Sequence, residues 1–389
     1  MKSHRAISRR AAKVAPFLAM DVMREARQRL AAGDDVVRME VGQPFGQAPR
    51  KVLEAARAAM REEPLGYTDA AGLLPLRERI ARHYRETHGI DVDPARVFIT
   101  TGSSGAFLLA FLAAFDAGDA VGLPNPGYPA YRNIFHALGI TPRLLPAGAA
   151  QGWAPRVEEV AAKLKEGMKG LLVASPANPT GAIIDDARLR ALIETVEAAG
   201  GWFISDEIYH GLTYERPATT ALAFSERAIV INSFSKYYAM TGWRIGWMVL
   251  PDELRRVAEV LGQNLFISAP TISQHAAIAA FDATEELQER RAGYAANRDL
   301  LLNELPRIGL GALAPADGAF YLYADVSHLT NDSITLSRRL LREARVAVTS
   351  GLDFDPLDGG RFLRLSYAGS HDDMARAVER LAAWMKENA

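Results

Sequence analysis

Lys236 is the residue in this sequence best placed to do covalent chemistry. It follows the apolar run Ala228–Ser233 and the small hydroxyl residues Ser233 and Ser235, with Gly242-Trp243-Arg244 shortly after. The chain has eight lysines, and the other seven (Lys2, Lys13, Lys51, Lys163, Lys165, Lys169 and Lys386) stand in polar or terminal contexts. A lysine at the end of an apolar strand is partly desolvated, which lowers its pKa and frees the amine as a nucleophile. Such an amine forms Schiff bases with carbonyls, and pyridoxal phosphate is the common biological aldehyde for that role. Ser233, Ser235 and Arg244 would supply hydroxyl and guanidinium donors for its phosphate. The competing reading is a surface lysine beside serines that cap a helix.

Asp206 ends the apolar stretch Trp202–Ser205. A carboxylate there can pair with a ring nitrogen and keep it protonated, which makes a pyridine an electron sink. Tyr209, three residues on, can donate to a phenolic oxygen of the same ring; a plain helix N-cap is the alternative for Asp206. Glu207 is read as a structural or solvated neighbour. Thr100-Thr101-Gly102-Ser103-Ser104-Gly105 is a strand entering a small-residue turn and then a helix, whose free amides form an anion site. It has neither the lysine of a P-loop nor the third glycine of a dinucleotide fingerprint. Ser175-Pro176-Ala177-Asn178-Pro179-Thr180-Gly181 is a turn that would hold Asn178 toward a ligand. Tyr128, in Pro126-Gly127-Tyr128-Pro129, can stack on an aromatic ring or pack on the core. Alternation makes Arg361–Tyr367 a strand with Arg364 on the face of Phe362 and Ser366. A buried arginine needs an anion, either a substrate carboxylate gripped bidentately or an internal partner such as Asp325. The eight histidines show no metal-ligand spacing, so no metal is expected; His83 and His88 are read as solvated on a surface helix.

These residues fall at the ends of short apolar runs separated by longer helical patterns. Expected strands are Val97–Thr101, Ala120–Leu123, Gly170–Ser175, Trp202–Ser205, Ala228–Ser233 and Arg244–Leu250, with helices such as Gly105–Phe115 and Asp186–Ala199 between them. The class is α/β, a sheet covered on both faces, and ligands in such sheets lie outside the carboxyl ends of the strands. At 389 residues the chain exceeds what one core usually holds, so two lobes are expected, with a boundary near residue 285. The 45 basic residues nearly balance the 46 acidic ones, which argues against a nucleic-acid binder. Cysteine is absent, excluding disulfides, thiolate zinc and a cysteine nucleophile. The longest apolar run, Ala106–Phe115, is too short to span a bilayer. The basic start (Lys2, Arg5, Arg9, Arg10, Lys13) lacks a secretory h-region and reads as a solvated arm of a cytoplasmic protein.

Taken in order along nearly the whole chain, from Val41-Gly42-Gln43-Pro44 to Ser366-Tyr367-Ala368, these motifs resemble the class I/II aminotransferases of the aspartate-aminotransferase-like fold. Asn178-Pro179-Thr180-Gly181, and Ser235-Lys236 with Arg244, are the most specific parts. The resemblance implies a three-layer, mostly parallel sheet in a large domain (41–285), a smaller α+β domain (286–389), and an N-terminal arm (1–40) that joins the small domain and a dimer contact. It implies that pyridoxal 5′-phosphate is bound through Lys236, with Asp206 on the pyridinium and Tyr209 and Asn178 on the ring oxygen. Ser103, Ser104, Ser233, Ser235 and Arg244 would hold the phosphate, Tyr128 would stack on the ring, and Arg364 would take the α-carboxylate close to Gly42. Tyr67 would reach the phosphate of the neighbouring subunit of a homodimer. The implied reaction is ping-pong transfer of an amino group between an L-amino acid and a 2-oxo acid. Arg132 is the one candidate for a distal substrate carboxylate and reads better as structural. Asp355 stands where many relatives have glycine. Phe17, Phe266 and Tyr321 could wall an apolar pocket, which favours neutral or aromatic donors, or could simply pack in the core. A lyase, decarboxylase or synthase on the same fold is the first alternative. A non-catalytic ligand-binding protein is the second, disfavoured because 40 residues before Val41 are too few for a typical DNA-binding domain.

Overall fold

The computed structural model describes residues 7–388; Lys2 and Arg5 of the basic arm lie outside them. The first strand, β1 (Val37–Arg38), is short. A seven-stranded sheet follows, built from β2 (Val97–Thr100), β3 (Ala120–Asn125), β4 (Thr141–Pro146), β5 (Met168–Ala174), β6 (Trp202–Asp206), β7 (Ile229–Ser233) and β8 (Gly246–Val249). Their order is β2-β8-β7-β6-β5-β3-β4. Only β8 runs antiparallel to its neighbours.

Period-two alternation inside apolar runs explains the layering. Leu171, Val173, Phe203, Val230, Trp247 and Val249 pack into one core. Leu172, Ile204, Ile229, Ile231 and Met248 pack into another. Successive side chains of one strand point to opposite faces, so both faces are buried and helices must cover each. The expected strands are present with shifted ends. In this sheet one strand lay outside the reading: β4 is an edge strand of alternating exposure that contains Pro142 and Pro146, with no apolar run to reveal it. Arg244 does not belong to β8, because its backbone is left-handed (φ 52°) and breaks the extended run.

The rest of the chain forms β9 (Tyr321–Asp325), β10 (Val346–Ala347), β11 (Thr349–Ser350) and β12 (Phe362–Ser366). An antiparallel sheet β11-β12-β9 packs against the helices Thr284–Glu304 and His371–Asn388. Its core includes Leu301, Phe320, Leu322, Leu365 and Trp384, and it also takes in Val37 and Met39 from the start of the chain. β1 pairs in parallel with β10, Val37 opposite Val346. The helix Leu18–Ala31 lays Val22 and Ala26 on Leu341 and Ala347. Arg361 pairs with Asp325, so Asp325 is not the partner of Arg364. His83 and His88 are not solvated: they are partly buried, His83 against Phe281 and His88 against His210.

Candidate active site

The carboxyl ends of the parallel strands open on a cavity of about 250 Å³. Of the residues assigned from sequence to the cofactor and the α-carboxylate, all but Ser233 and Tyr67 line it; Arg132 does not line it either. β7 ends at Ser233, whose buried hydroxyl accepts from the Ser235 amide (3.1 Å) and reaches the Ile245 carbonyl (3.2 Å). Ser233 therefore shapes the turn, and Ser235 and Lys236 face the cavity. Tyr67 is 83% exposed, away from this chain's own cavity.

Lys236 Nζ donates to the Gly42 carbonyl at 2.6 Å. Burial, followed by the nearby guanidinium groups of Arg364 and Arg244, pushes the amine down to about 8. Gly42 is needed as glycine, because a Cβ there would lie 2.0 Å from the Tyr321 hydroxyl oxygen. Asp206 closes β6 with one carboxylate oxygen on the Ile208 amide (3.1 Å) and the other taking the Tyr131 hydroxyl. Burial raises Asp206 to about 7, against the pull of those two hydrogen bonds. Tyr209 follows on the same turn, its hydroxyl 2.8 Å from that of Tyr321; burial lifts the Tyr209 phenol well above its ordinary value.

β2 delivers the anion end. The helix Gly102–Ala114 starts at Gly102 in a left-handed conformation (φ +68°). A Cβ there would meet Arg244 Nη2 at 2.3 Å, so only glycine lets the guanidinium lie against the helix start. Arg244 Nη1 is held by the Thr241 carbonyl (3.0 Å). Unpaired amides of the first turn, Ser103 and Ser104, and this guanidinium converge on one corner, a cradle for a phosphate dianion.

Arg364 comes from β12, across the cavity. It donates to Asn178 Oδ1 (3.1 Å) and to the Glu40 carbonyl (2.7 Å). Its carbon Cζ lies 4.4 Å from the Tyr321 ring centroid and 4.6 Å from that of Phe354. Its Nε is buried with no partner, so this arginine keeps a donor for an incoming anion. Tyr128 lines the cavity with its ring stacked on Phe17, centroids 6.1 Å apart. Of the proposed apolar wall, Phe17 and Tyr321 line the cavity and Phe266 does not.

Sequence reasoning missed Tyr131, Glu40, Thr241 and Asp353, which also line the cavity. Tyr131 bonds a residue 75 positions away, a pairing that no local pattern signals. Asp353 accepts the Leu18 and Ala19 amides, both at 2.7 Å, and so caps the N-terminal helix at the cavity rim. Arg132 donates to the Asp353 carbonyl. Asp355 receives the amides of Leu357 and Asp358 and the Asn125 side chain, a local structural role.

A family model described as aminotransferase class I and II matches residues 34–381. The chain belongs to the class I and II aminotransferases. It is 47% identical over 378 residues to a valine–pyruvate aminotransferase of Mycobacterium tuberculosis, covering 96% of this chain and 97% of that protein. A crystal structure of a putative aminotransferase from Silicibacter pomeroyi superposes with a TM-score of 0.91 at 49% identity, over 98% of this chain and 100% of the other. An aspartate aminotransferase from Thermus thermophilus, solved with maleate, does so at 0.91 with 32% identity and the same coverage. This aminotransferase thus has the fold expected of the family, a mostly parallel sheet between helices.

Proposed function

We propose that this aminotransferase binds pyridoxal 5′-phosphate in the 250 Å³ cavity and moves amino groups between neutral, apolar L-amino acids and a 2-oxo acid. The observation that carries the reading is a donor set that matches the cofactor end for end. The Gly102–Arg244 cradle fits a phosphate, Lys236 presents an amine to an aldehyde, and Asp206 faces the place of a ring nitrogen. When bound, the cofactor supplies an aldehyde for Lys236 and a protonated pyridine that withdraws electrons from the substrate α-carbon.

The residues divide the remaining work. At about 8, Lys236 is deprotonated in a useful fraction at neutral pH, so its amine can attack and can later remove and return the α-proton as a general base. Asp206 is held between Tyr131 and the Ile208 amide, where it would pair with a protonated ring nitrogen and so be drawn back toward its ionised form. Tyr209, steadied by Tyr321, and Asn178 are placed to donate to a ring oxygen. Tyr128 closes one face of the ring. Arg364 grips the α-carboxylate while Tyr321 and Phe354 exclude water around it.

Charge selects the substrate class. Lys236, Arg244 and Arg364 are the basic residues of the lining, and each already has a task. The remaining charged residues are the acids Asp206, Glu40 and Asp353, with Phe17, Met20 and Phe354 completing the walls. Among the described residues, a second substrate carboxylate would find no further cation in the lining, whereas an aliphatic side chain finds apolar surface. Similarity to the valine–pyruvate enzyme supports the same reading. Exposed Tyr67 further supports a homodimer in which each chain completes the other's phosphate site, and the lack of cysteine suits a reducing cytoplasm. We also read residues 41–285 as a cofactor-holding unit and 286–389 as the smaller unit that carries Arg364. A panel of amino donors with pyruvate, 2-oxoglutarate and oxaloacetate tests this: valine-like donors should outrun aspartate and glutamate by at least about 100-fold in kcat/KM, the scale of an unpaired buried charge. Preference for the acidic donors would refute the substrate reading.

A further inference from the structure

Glu207 and His210 have no role in the chemistry described above, yet both are buried directly behind it. The carboxyl Oε1 of Glu207 accepts the Ala221 amide (2.8 Å) and the Ser205 hydroxyl (2.9 Å). Its Oε2 is buried without a hydrogen-bond partner, and so is His210 Nδ1. These two atoms face each other at 3.6 Å. The other ring nitrogen, Nε2, lies 3.1 Å from the Ser175 carbonyl.

The carbonyl can only accept, so Nε2 carries a hydrogen. In a neutral ring Nδ1 is then a bare lone pair. With an ionised carboxylate opposite, two lone pairs would meet and an unpaired buried charge would remain, which is costly. A single proton between Oε2 and Nδ1 removes both problems. No group of three or more His, Asp or Glu side chains among the described residues is arranged to hold a metal ion, so a proton is the species that fits.

The pair joins two parts of the active site. Asp206 and Tyr209 lie on the same turn as Glu207 and His210. Ser175 is the root of the loop that carries Asn178, and its amide donates to the Asp206 carbonyl at 3.2 Å. We propose that Glu207 and His210 share one proton and act as positioning residues, locking the Asp206–Tyr209 turn to the Asn178 loop through the Ser175 carbonyl. This deepens the cofactor reading and rests on it for its consequence, though not for the proton itself.

Burial favours the uncharged form of the pair, raising Glu207 and lowering His210 to about 4. Burial outweighs the hydrogen bonds from Ala221, Thr220 and Ser205 and the facing His88 ring, which pull Glu207 the other way, and the Ser175 carbonyl, which raises His210. The His88 ring is 5.8 Å from that of His210, and His83 is 6.2 Å from His88. Burial holds His88 to about 4 and His83 to about 3, with Arg79 adding to the effect on His83. Burial keeps Tyr84 protonated, and Glu207 adds to that. Asp206, one residue away, disfavours a second negative charge at Glu207.

Two measurements test the proposal. In the cofactor-free protein labelled with 15N at histidine, and with His210 assigned by its loss in His210→Gln, Nε2 should remain protonated from pH 6 to 8 without titrating. A ring hydrogen on Nδ1 alone, or a midpoint near the ordinary imidazole value, overturns the shared proton whatever the cofactor does. The second is equilibrium titration of the apo protein with pyridoxal 5′-phosphate. His210→Gln and Glu207→Gln keep an amide donor in the gap or toward Ser175 and should stay within about threefold of the parent. His210→Phe fills the space but leaves Ser175 and Glu207 unpartnered, and should bind about tenfold more weakly. Equal affinities for the glutamine and phenylalanine variants would show that the ring only fills space. If no variant, parent included, binds the cofactor, the functional reading fails while the proton assignment stands or falls on the spectrum.

Discussion

At the scale of single residues, the proposed chemistry rests on Lys236, Arg364 and Asp206. Lys236→Ala should abolish borohydride-fixable cofactor; a reduced covalent adduct surviving in that variant, seen by mass spectrometry, would overturn the assignment. Arg364→Ala should raise KM for amino donors by about 100-fold while cofactor affinity changes less than about threefold, because the lost bidentate anion contact concerns the substrate alone. Equal loss of both would make Arg364 structural. Asp206 gives a pH signature in the cofactor-free protein. Burial raises it from 3.8 to about 7, so the folded chain keeps a proton that the unfolded chain releases across that window. Stability from this group therefore falls as pH rises from 4 to 7, and the full cost is present above 7. Asp206→Asn should accordingly stabilise the apo protein at pH 8 by on the order of 1–3 kcal/mol and change it little near pH 4. Denaturant titrations at both values check this; a gain equal at the two pH values would remove burial of the charge as its cause.

At the scale of elements, strands were legible and their long-range fastenings were not. Val230 and Ile231, or Leu171 and Leu172, reveal a strand buried on both faces because adjacent side chains are both apolar. The expectation that chemistry follows strand ends then located Asp206, Lys236 and the turn at Gly102. The same logic missed β4, whose side chains are half in solvent, and it put Arg244 inside a strand because an αL arginine leaves no trace in composition. It placed Ser233 in the cavity, where the structure uses it to fold the turn. Tyr131 and Asp353 went unseen for a common reason: their meaning lies in partners remote in the chain. Asp353 illustrates what such a fastening does. It fixes the first amides of Leu18–Ala31, so Asp353→Ala should cost about 1 kcal/mol and speed hydrogen exchange at residues 18–21. Unchanged exchange there would show that the helix is held by Val22 and Ala26 alone.

At the scale of the whole molecule, the proposed homodimer gives a solvent-facing tyrosine something to do. Tyr67 is 83% exposed, and we propose that it reaches the phosphate of the neighbouring chain. Light scattering should give a particle of two chains, and Tyr67→Ala should weaken cofactor binding by about tenfold, the effect of one lost charge-assisted hydrogen bond. A monomeric particle, or unaltered affinity, would leave the phosphate to this chain's own residues. The parallel pairing of Val37 with Val346 has a consequence in time. Its two halves leave the ribosome at opposite ends of synthesis, roughly 15–60 s apart at ordinary elongation rates. Throughout that interval the early segment shows unpaired N–H and C=O groups to every other nascent chain. An edge only two residues long, one of them the charged Arg38, offers those neighbours little to pair with until its own partner emerges.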